Sequence, residues 1–184
     1  AATVSRSQVR DLPDGQTAIR LQVPHPDTGY LRYSQGSDTS FAERARFRLL
    51  TQVVSGAFYE ELRTTRQLGY VVYATPFEML ETPAIGLVVQ SPEASAEQID
   101  QAVSEFATSF RKRLADMDEK ALERERQAVI SKLMEQERIL SSVSERYWRE
   151  IDRQATDFDS REQLAAAVAE VSREALLATF DRAL

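Results

Sequence analysis

The chain has 184 residues, of which 42% are hydrophobic and 28% are charged, a composition typical of a globular protein. Its 29 acidic and 23 basic side chains give a formal net charge of −6, which argues against a nucleic-acid-binding surface. The absence of cysteine excludes disulfides and thiolate metal sites. No apolar run approaches the roughly 20 residues that a membrane-spanning helix needs. We therefore expect a single domain over residues 1–184, with neither nucleic acid nor a membrane as a partner.

Four segments have the composition of β-strands. Residues 17–23 alternate apolar and polar side chains with a period of two, and residues 30–35 resume the pattern after a turn rich in proline and glycine. Residues 70–75 and 84–91 are rich in β-branched and aromatic side chains, and a proline stands at each side of their connection. This last pair predicts an antiparallel hairpin with a loop of moderate length.

The rest of the chain has helical periodicity. Apolar residues at steps of three and four predict a helix from about residue 40 to residue 63, which begins at the capping box Ser40-x-x-Glu43. We expect Gly69 to end this helical segment in a left-handed conformation. Further helices are predicted to begin near Ser95, Asp118, Ser160 and Ser172, and an apolar stripe of the same period continues beyond the helix at Asp118 from Ile139 to Ile151. The predicted fold class is α+β, a small antiparallel β-sheet backed by several helices.

A single histidine limits the catalytic chemistry available to the chain alone. His25 stands between two prolines in a predicted turn, where we interpret it as a solvated turn residue. The sequence has no Gly-x-Ser-x-Gly elbow and no glycine-rich phosphate loop. The glutamates between residues 119 and 137 are interpreted as the solvated face of an amphipathic helix. We therefore expect no bound metal, no cofactor and no independent catalysis.

The most specific pattern is ELRTTRQLGYVVYATP, residues 61–76. Arg63 falls near the end of a predicted helix, where a cation is favoured by the helix dipole. Tyr70 opens a predicted strand, which is also common. From spacing alone, a structural and a functional interpretation of both residues stay open.

The run Leu-Arg-Thr-x-x-Gln-Leu-Gly-Tyr-x-Val within this segment resembles a signature of the pitrilysin and insulin-degrading-enzyme family of zinc peptidases. Weaker similarity extends from about residue 30 to the end of the chain, including residues 86–91 and residues 147–151. Active members of that family use an inverted zinc motif, His-x-x-Glu-His, which requires two imidazoles. The chain has one histidine, so the resemblance implies a domain that does not hold the zinc.

In the family, four homologous α+β domains enclose a chamber that holds the peptide, and the first domain binds zinc. The resemblance implies that this chain is the C-terminal domain of such a parent enzyme, bacterial in origin, with peptide substrate and the remaining domains as partners. The arginine and tyrosine that the fourth domain supplies correspond to Arg63 and Tyr70. Tyr70 is then a catalytic donor to the scissile carbonyl, and Arg63 binds substrate carbonyls. Gln67, Leu68 and Gly69 are implied to fix the joint.

Three further expectations concern packing and class. The family usually closes its sheet with a strand after the last helix, and the sequence lacks that strand, so either the strand lies outside this sequence or the sheet is smaller. Tyr73 is expected to pack on the opposite sheet face from Tyr70, and Trp148 to be a core residue or an interdomain anchor. A catalytically inactive assembly subunit and a free-standing helical interaction module are the alternatives, although the presence of both Arg63 and Tyr70 favours the enzyme. The resemblance leaves a periplasmic or a cytoplasmic location open.

Overall fold

The computed structural model describes residues 8–13 and 15–184, and its elements confirm the predicted α+β class. The strands are β1 (Thr28–Gln35), β2 (Val71–Met79) and β3 (Thr82–Ser91). The helices are α1 (Phe41–Tyr59), which continues into a π-helical segment (Glu60–Thr65), then α2 (Ala96–Ala115), α3 (Glu119–Leu133), α4 (Leu140–Asp152), α5 (Ser160–Ala169) and α6 (Arg173–Ala183). None of these described helices combines the length and the apolar character that crossing a membrane requires.

The three strands form one antiparallel sheet in the order β1-β3-β2. In the central strand Ile85, Leu87 and Val89 are fully buried, and all three lie on the same face because side chains alternate along a strand. They belong to the same core cluster as residues of α1 and α2. The sheet is therefore covered by helices on one face.

Helix α1 lies at the centre of the core. It contacts β2 and β3 of the sheet as well as α3, α5 and α6. Next to it, Phe58, Phe106, Phe110 and Phe180 form a continuous aromatic row, with successive ring centroids 5.3, 5.4 and 5.8 Å apart. Offset and edge-to-face ring pairs at such distances add to the stabilisation that burial alone provides.

The β2–β3 hairpin is tighter than its sequence predicted. The loop contains only Leu80 and Glu81, which both have positive φ (46° and 70°), as a type I′ turn requires. The prediction of a loop of moderate length is wrong because both prolines lie inside strands. Pro76 is on the edge strand β2, and Pro83 lies beyond the end of the pairing between β1 and β3, so neither removes a needed ladder bond.

The predicted strand over residues 17–23 is wrong. These residues form no strand, and Ile19 and Leu21 are each 81% exposed. Arg20 forms a salt bridge with Glu97 at 2.5 Å, but both side chains are exposed. An alternating pattern becomes a strand only where a neighbouring strand supplies ladder hydrogen bonds, and no described strand pairs with this segment.

The helix starts agree only partly with the capping predictions. Ser95 and Gln98 form the full capping box of α2. At α1, Ser40 accepts the hydrogen bond of the Glu43 N–H, whereas the Glu43 carboxylate accepts from the Ser37 N–H instead of closing the box.

Helix α5 begins at the predicted residue but is not capped by it. The Ser160 hydroxyl donates to Glu150 Oε2 at 2.5 Å, and Asp159 occupies the N-cap position without a side-chain bond to the helix N-terminus. The serine that predicted a cap therefore joins α5 to α4.

Candidate functional site

The segment that joins α1 to β2 has an irregular helical backbone. After Tyr59 the helix widens into the π-helical segment, which continues to Thr65, and the Arg66 N–H donates to the Glu61 carbonyl at 2.9 Å. Single π-helical turns within helices are rare and are frequent at functional sites. Leu62 in this segment is fully buried, so the joint is fixed to the core by its own side chain.

The left-handed residue at the joint is Gln67, with φ 53°, and not Gly69 as the sequence predicted. Gly69 is required for a different reason. A Cβ atom built on it would lie 2.2 Å from the Gln90 carbonyl oxygen of β3, closer than any side chain allows. The next residue, Tyr70, donates its N–H to the same carbonyl at 3.2 Å. The joint is therefore pressed against the central strand, in agreement with a close backbone approach at this glycine.

Tyr70 lies in a hydrogen-bonded triangle with Asp27 and Gln90. Its hydroxyl donates to Asp27 Oδ2 at 2.5 Å. Gln90 Nε2 donates to the same carboxylate oxygen at 2.9 Å and also to the Tyr70 hydroxyl oxygen. Because the Tyr70 side chain is 52% exposed, the triangle is open to solvent. We call these three residues the tyrosine triangle.

The tyrosine triangle holds one charge and one neutral phenol at neutral pH. The hydrogen bond to Asp27 raises the pKa of Tyr70 above its usual value. In return, the hydrogen bonds from Tyr70 and Gln90 lower the pKa of Asp27, and His25 lowers it further. His25 Nδ1 also accepts the Asp27 N–H at 3.1 Å, which shapes the turn before β1. The phenol thus keeps its proton, and the carboxylate stays ionised.

The two arginines of the motif have different surroundings. Arg66 donates to Glu61 at 2.9 Å and to Glu105 at 2.6 Å, so it connects the joint to α2. Arg63 is partly buried in the last turn of the π-helical segment, and its guanidinium has no ion pair or hydrogen bond with any residue in the described ranges. The structure does not include Arg63 in the tyrosine triangle.

Other residues predicted at the motif have separate positions. Leu68 packs partly buried against the core, and its N–H donates to the Leu62 carbonyl at 3.0 Å. Tyr73 is 46% exposed, so the prediction that it packs is wrong: it points to the opposite side of β2 from Val72, which is buried in the core. The sequence did not single out Asp27 or Gln90. Gln90 lay within a stretch similar to the family, whereas no sequence signal pointed to Asp27.

Within residues 8–13 and 15–184, no group of three or more histidine, aspartate or glutamate side chains is arranged to hold a metal ion. A groove of about 670 Å³ lies between α1 and α3, where its lining includes Gln52, Arg113 and Glu125. None of its lining residues belongs to the joint, where Tyr70 is half exposed.

The fold and the joint together define the class of domain. The crystal structure of pitrilysin superposes with a TM-score of 0.80 at 24% identity, over 88% of this chain and 17% of that chain. A putative zinc protease from Bordetella pertussis superposes with a TM-score of 0.65 at 12% identity, over 84% of this chain and 86% of that chain. A peptidase M16 inactive domain from Pseudomonas fluorescens superposes with a TM-score of 0.61 at 16% identity, over 86% of this chain and 38% of that chain. The chain therefore has the α+β fold of pitrilysin-like peptidase domains.

Sequence comparison gives the family. Human insulin-degrading enzyme is 26% identical over 196 residues, covering 98% of this chain and 19% of the relative. Protease 3 of Escherichia coli K12 is 27% identical over 179 residues, covering 97% and 18%. The chain thus spans less than a fifth of the length of these relatives. Residues 49–148 match the family described as PQQ synthase PqqF-like, C-terminal lobe domain 4, and the chain belongs to this family. The predicted resemblance is confirmed.

Proposed function

We propose that the chain is the zinc-free, substrate-contacting C-terminal domain of a larger zinc metalloendopeptidase. The family is that of a fourth, C-terminal lobe domain, and the relatives that the chain matches are named as an insulin-degrading enzyme and a protease. The chain corresponds to less than a fifth of each relative, which fits a domain that acts together with others. Zinc held elsewhere in the parent would supply the activated water.

The observation that carries the proposal is the state of Tyr70. Its phenol is half exposed at the end of the sheet, and the hydrogen bond to Asp27 raises its pKa, so that it remains a donor at neutral and mildly alkaline pH. A neutral phenol can donate to the scissile carbonyl as negative charge develops on its oxygen. We assign Tyr70 this role as the catalytic residue of the domain.

Arg63 is proposed to bind the peptide backbone next to the cleaved bond. A guanidinium is always charged and presents several N–H donors in a fixed plane, which suits carbonyl oxygens. Arg66 has a structural role instead, because its guanidinium already pairs with two carboxylates and holds the joint to α2. Arg63 has no such described partner, so its donors are available to a ligand.

The test is peptide cleavage by the full-length product of the reading frame that encodes this chain. We expect Tyr70→Phe to lower turnover by about 100- to 1,000-fold, the usual effect of removing one oxyanion donor. Arg63→Ala should lower kcat/KM by about thirtyfold, since a hydrogen bond to a charged group contributes about 2 kcal/mol. Tyr73→Phe and Arg124→Ala are matched controls at exposed positions outside the joint and should leave cleavage unchanged. Unchanged cleavage in both Tyr70→Phe and Arg63→Ala would contradict the assigned roles.

A structural, catalytically inactive subunit is the second candidate, since one structure with the same fold is described as an inactive peptidase domain. The two candidates differ in the reading frame upstream of this chain. An intact His-x-x-Glu-His supports the enzyme, and a degenerate motif supports the subunit. For the enzyme, we further expect that the 184-residue chain alone cleaves no peptide and binds no stoichiometric zinc, which peptide hydrolysis assays and zinc titration would measure.

A further inference from the structure

We propose that Asp27 and Gln90 are positioning residues for Tyr70, and that the Asp27 carboxylate holds the phenol proton until a peptide carbonyl replaces it as the acceptor. This inference rests on the proposed role of Tyr70. It adds two residues that lie outside the motif, one of them 43 positions away from Tyr70 in the sequence.

The sheet brings the three residues together. Asp27 immediately precedes β1, Tyr70 immediately precedes β2, and Gln90 is the second-last residue of β3. In the ladder, Gln90 lies opposite Gly29 of β1 on one side and Val71 of β2 on the other. The backbone next to each member of the tyrosine triangle is therefore fixed by pairing to the same point of β3.

Counting donors shows what the arrangement does to the phenol. A tyrosine hydroxyl has one proton, and here that proton is donated to Asp27. The Gln90 amide has two N–H donors, and it donates to the Tyr70 oxygen and to the Asp27 carboxylate. The single donor of the phenol is thus already used. A peptide carbonyl can receive it only by displacing Asp27, while Gln90 keeps both side chains in position.

Few charged groups act on the Tyr70 phenol. Asp27 acts on Tyr70 both through the hydrogen bond and through its charge, and His25 acts on Asp27 in turn. From β3 the contacting side chain is the neutral Gln90. Removing the charge of Asp27 while preserving its shape is therefore the cleanest perturbation of the tyrosine triangle.

The test is a pH titration of Tyr70 in the 184-residue chain. It is monitored by NMR, with tyrosines labelled at the ring carbon that bears the hydroxyl. Tyr70→Phe assigns the signal. In Asp27→Asn we expect loss of the upward displacement, with the Tyr70 pKa moving towards the ordinary value of about 10. Asp157→Asn, a matched change at an exposed aspartate far along the chain, should leave the Tyr70 titration unchanged. Gln90→Leu should broaden the Tyr70 χ1 distribution measured by three-bond couplings.

A Tyr70 titration that is identical in the parent chain and in Asp27→Asn would overturn the inference, and so would an unchanged χ1 distribution in Gln90→Leu. These results do not depend on whether the protein cleaves peptides. The proposed function has its own failure, which is unchanged cleavage in Tyr70→Phe. In the full-length protein, Asp27→Asn should move the alkaline limb of the activity profile to lower pH, whereas a residue with a merely structural role would lower activity without moving that limb.

Discussion

The joint between α1 and β2 and the helix α4 both contain family-like stretches, yet they are held in different ways. At the joint the apolar residue Leu62 is fully buried, and the backbone of Gly69 touches β3. In α4, Leu140 is 83% exposed and Trp148 is 65% exposed. The prediction of Trp148 as a core residue is therefore wrong, and its role as an interdomain anchor stays a prediction.

Several of the contacts that hold α4 in place are polar. Its one buried residue is Glu150, which accepts the hydrogen bond of Ser160 at the start of α5. At its C-terminal end, Arg153 donates to Glu78 of β2. The comparison teaches that an amphipathic pattern predicts a helix but not the surface that covers its apolar face. At the joint, packing against the core fixes the position, whereas α4 is held by polar contacts such as these and by an aromatic ring pair.

The two regions should differ most in how much stability the chain loses when one leucine in each region is truncated to alanine. Leu62→Ala should lower the free energy of unfolding by about 3 kcal/mol, because it leaves a cavity at a fully buried position. Leu140→Ala in α4 should change it by less than about 0.5 kcal/mol. Urea denaturation of both variants measures the two values. Equal losses would contradict the contrast between packing at the joint and in α4.

A pair of glycine substitutions probes the backbone contact at the joint. Gly69→Ala should destabilise the chain by about 2 kcal/mol, since the added methyl group forces β3 and the joint apart. Gly56→Ala is the matched control, because that glycine lies in α1 with open space around it. It should stabilise the helix by up to about 1 kcal/mol. Thermal denaturation measures both effects, and melting temperatures that shift in the same direction for the two variants would contradict this prediction.

Glu78 of β2 connects α1 to the C-terminal end of α4, and its ion pairs predict a pH dependence of stability. Burial raises the pKa of Glu78, but Arg44 and Arg48 lower it by more, so the net shift is downward. A carboxylate with a lowered pKa stabilises the fold above its unfolded value of about 4.5 and loses that effect as pH falls through the folded value.

We therefore expect Glu78→Gln to cost about 2 kcal/mol at pH 7, since it removes the charged partner of these arginines. The difference from the parent chain should shrink as the pH falls below about 4.5, where Glu78 becomes protonated first in the unfolded chain and then, at lower pH, in the folded chain. Denaturant unfolding at pH 7 and at pH 3 measures it. Glu135→Gln at an exposed position is the control and should show no difference at either pH. If the difference in unfolding free energy between Glu78→Gln and the parent chain stayed constant with pH, the stabilisation by Glu78 would not come from its charge.

The smallest effect is expected at Trp148, the one tryptophan of the sequence. Because its side chain is 65% exposed, Trp148→Ala should change the unfolding free energy by less than about 0.5 kcal/mol. In the parent chain, tryptophan fluorescence should have the long emission wavelength of a solvated indole and should be quenched readily by acrylamide. Blue-shifted emission that resists quenching would mean that α4 packs on the rest of the chain.

Local pattern was sufficient for most of the helices and for the motif, but not for the break at residues 134–139 between α3 and α4 or for the tyrosine triangle. The stripe of α2 and its capping box at Ser95 were predicted correctly because both depend on residues three or four apart. Residues 17–23 failed because a strand depends on a partner that the pattern does not contain. Asp27 could not be found because its contact with Tyr70 follows from the register of three strands, which no single segment specifies.

The most direct test of the account is single-turnover peptide cleavage at neutral pH by the full-length product of the reading frame, comparing Tyr70→Phe with Tyr73→Phe. Both variants remove one hydroxyl from a half-exposed tyrosine near the sheet, and only the first removes the proposed carbonyl donor. The account predicts that Tyr70→Phe slows cleavage by about 100- to 1,000-fold, whereas Tyr73→Phe cleaves at the parent rate. Equal rates for the two variants would contradict it.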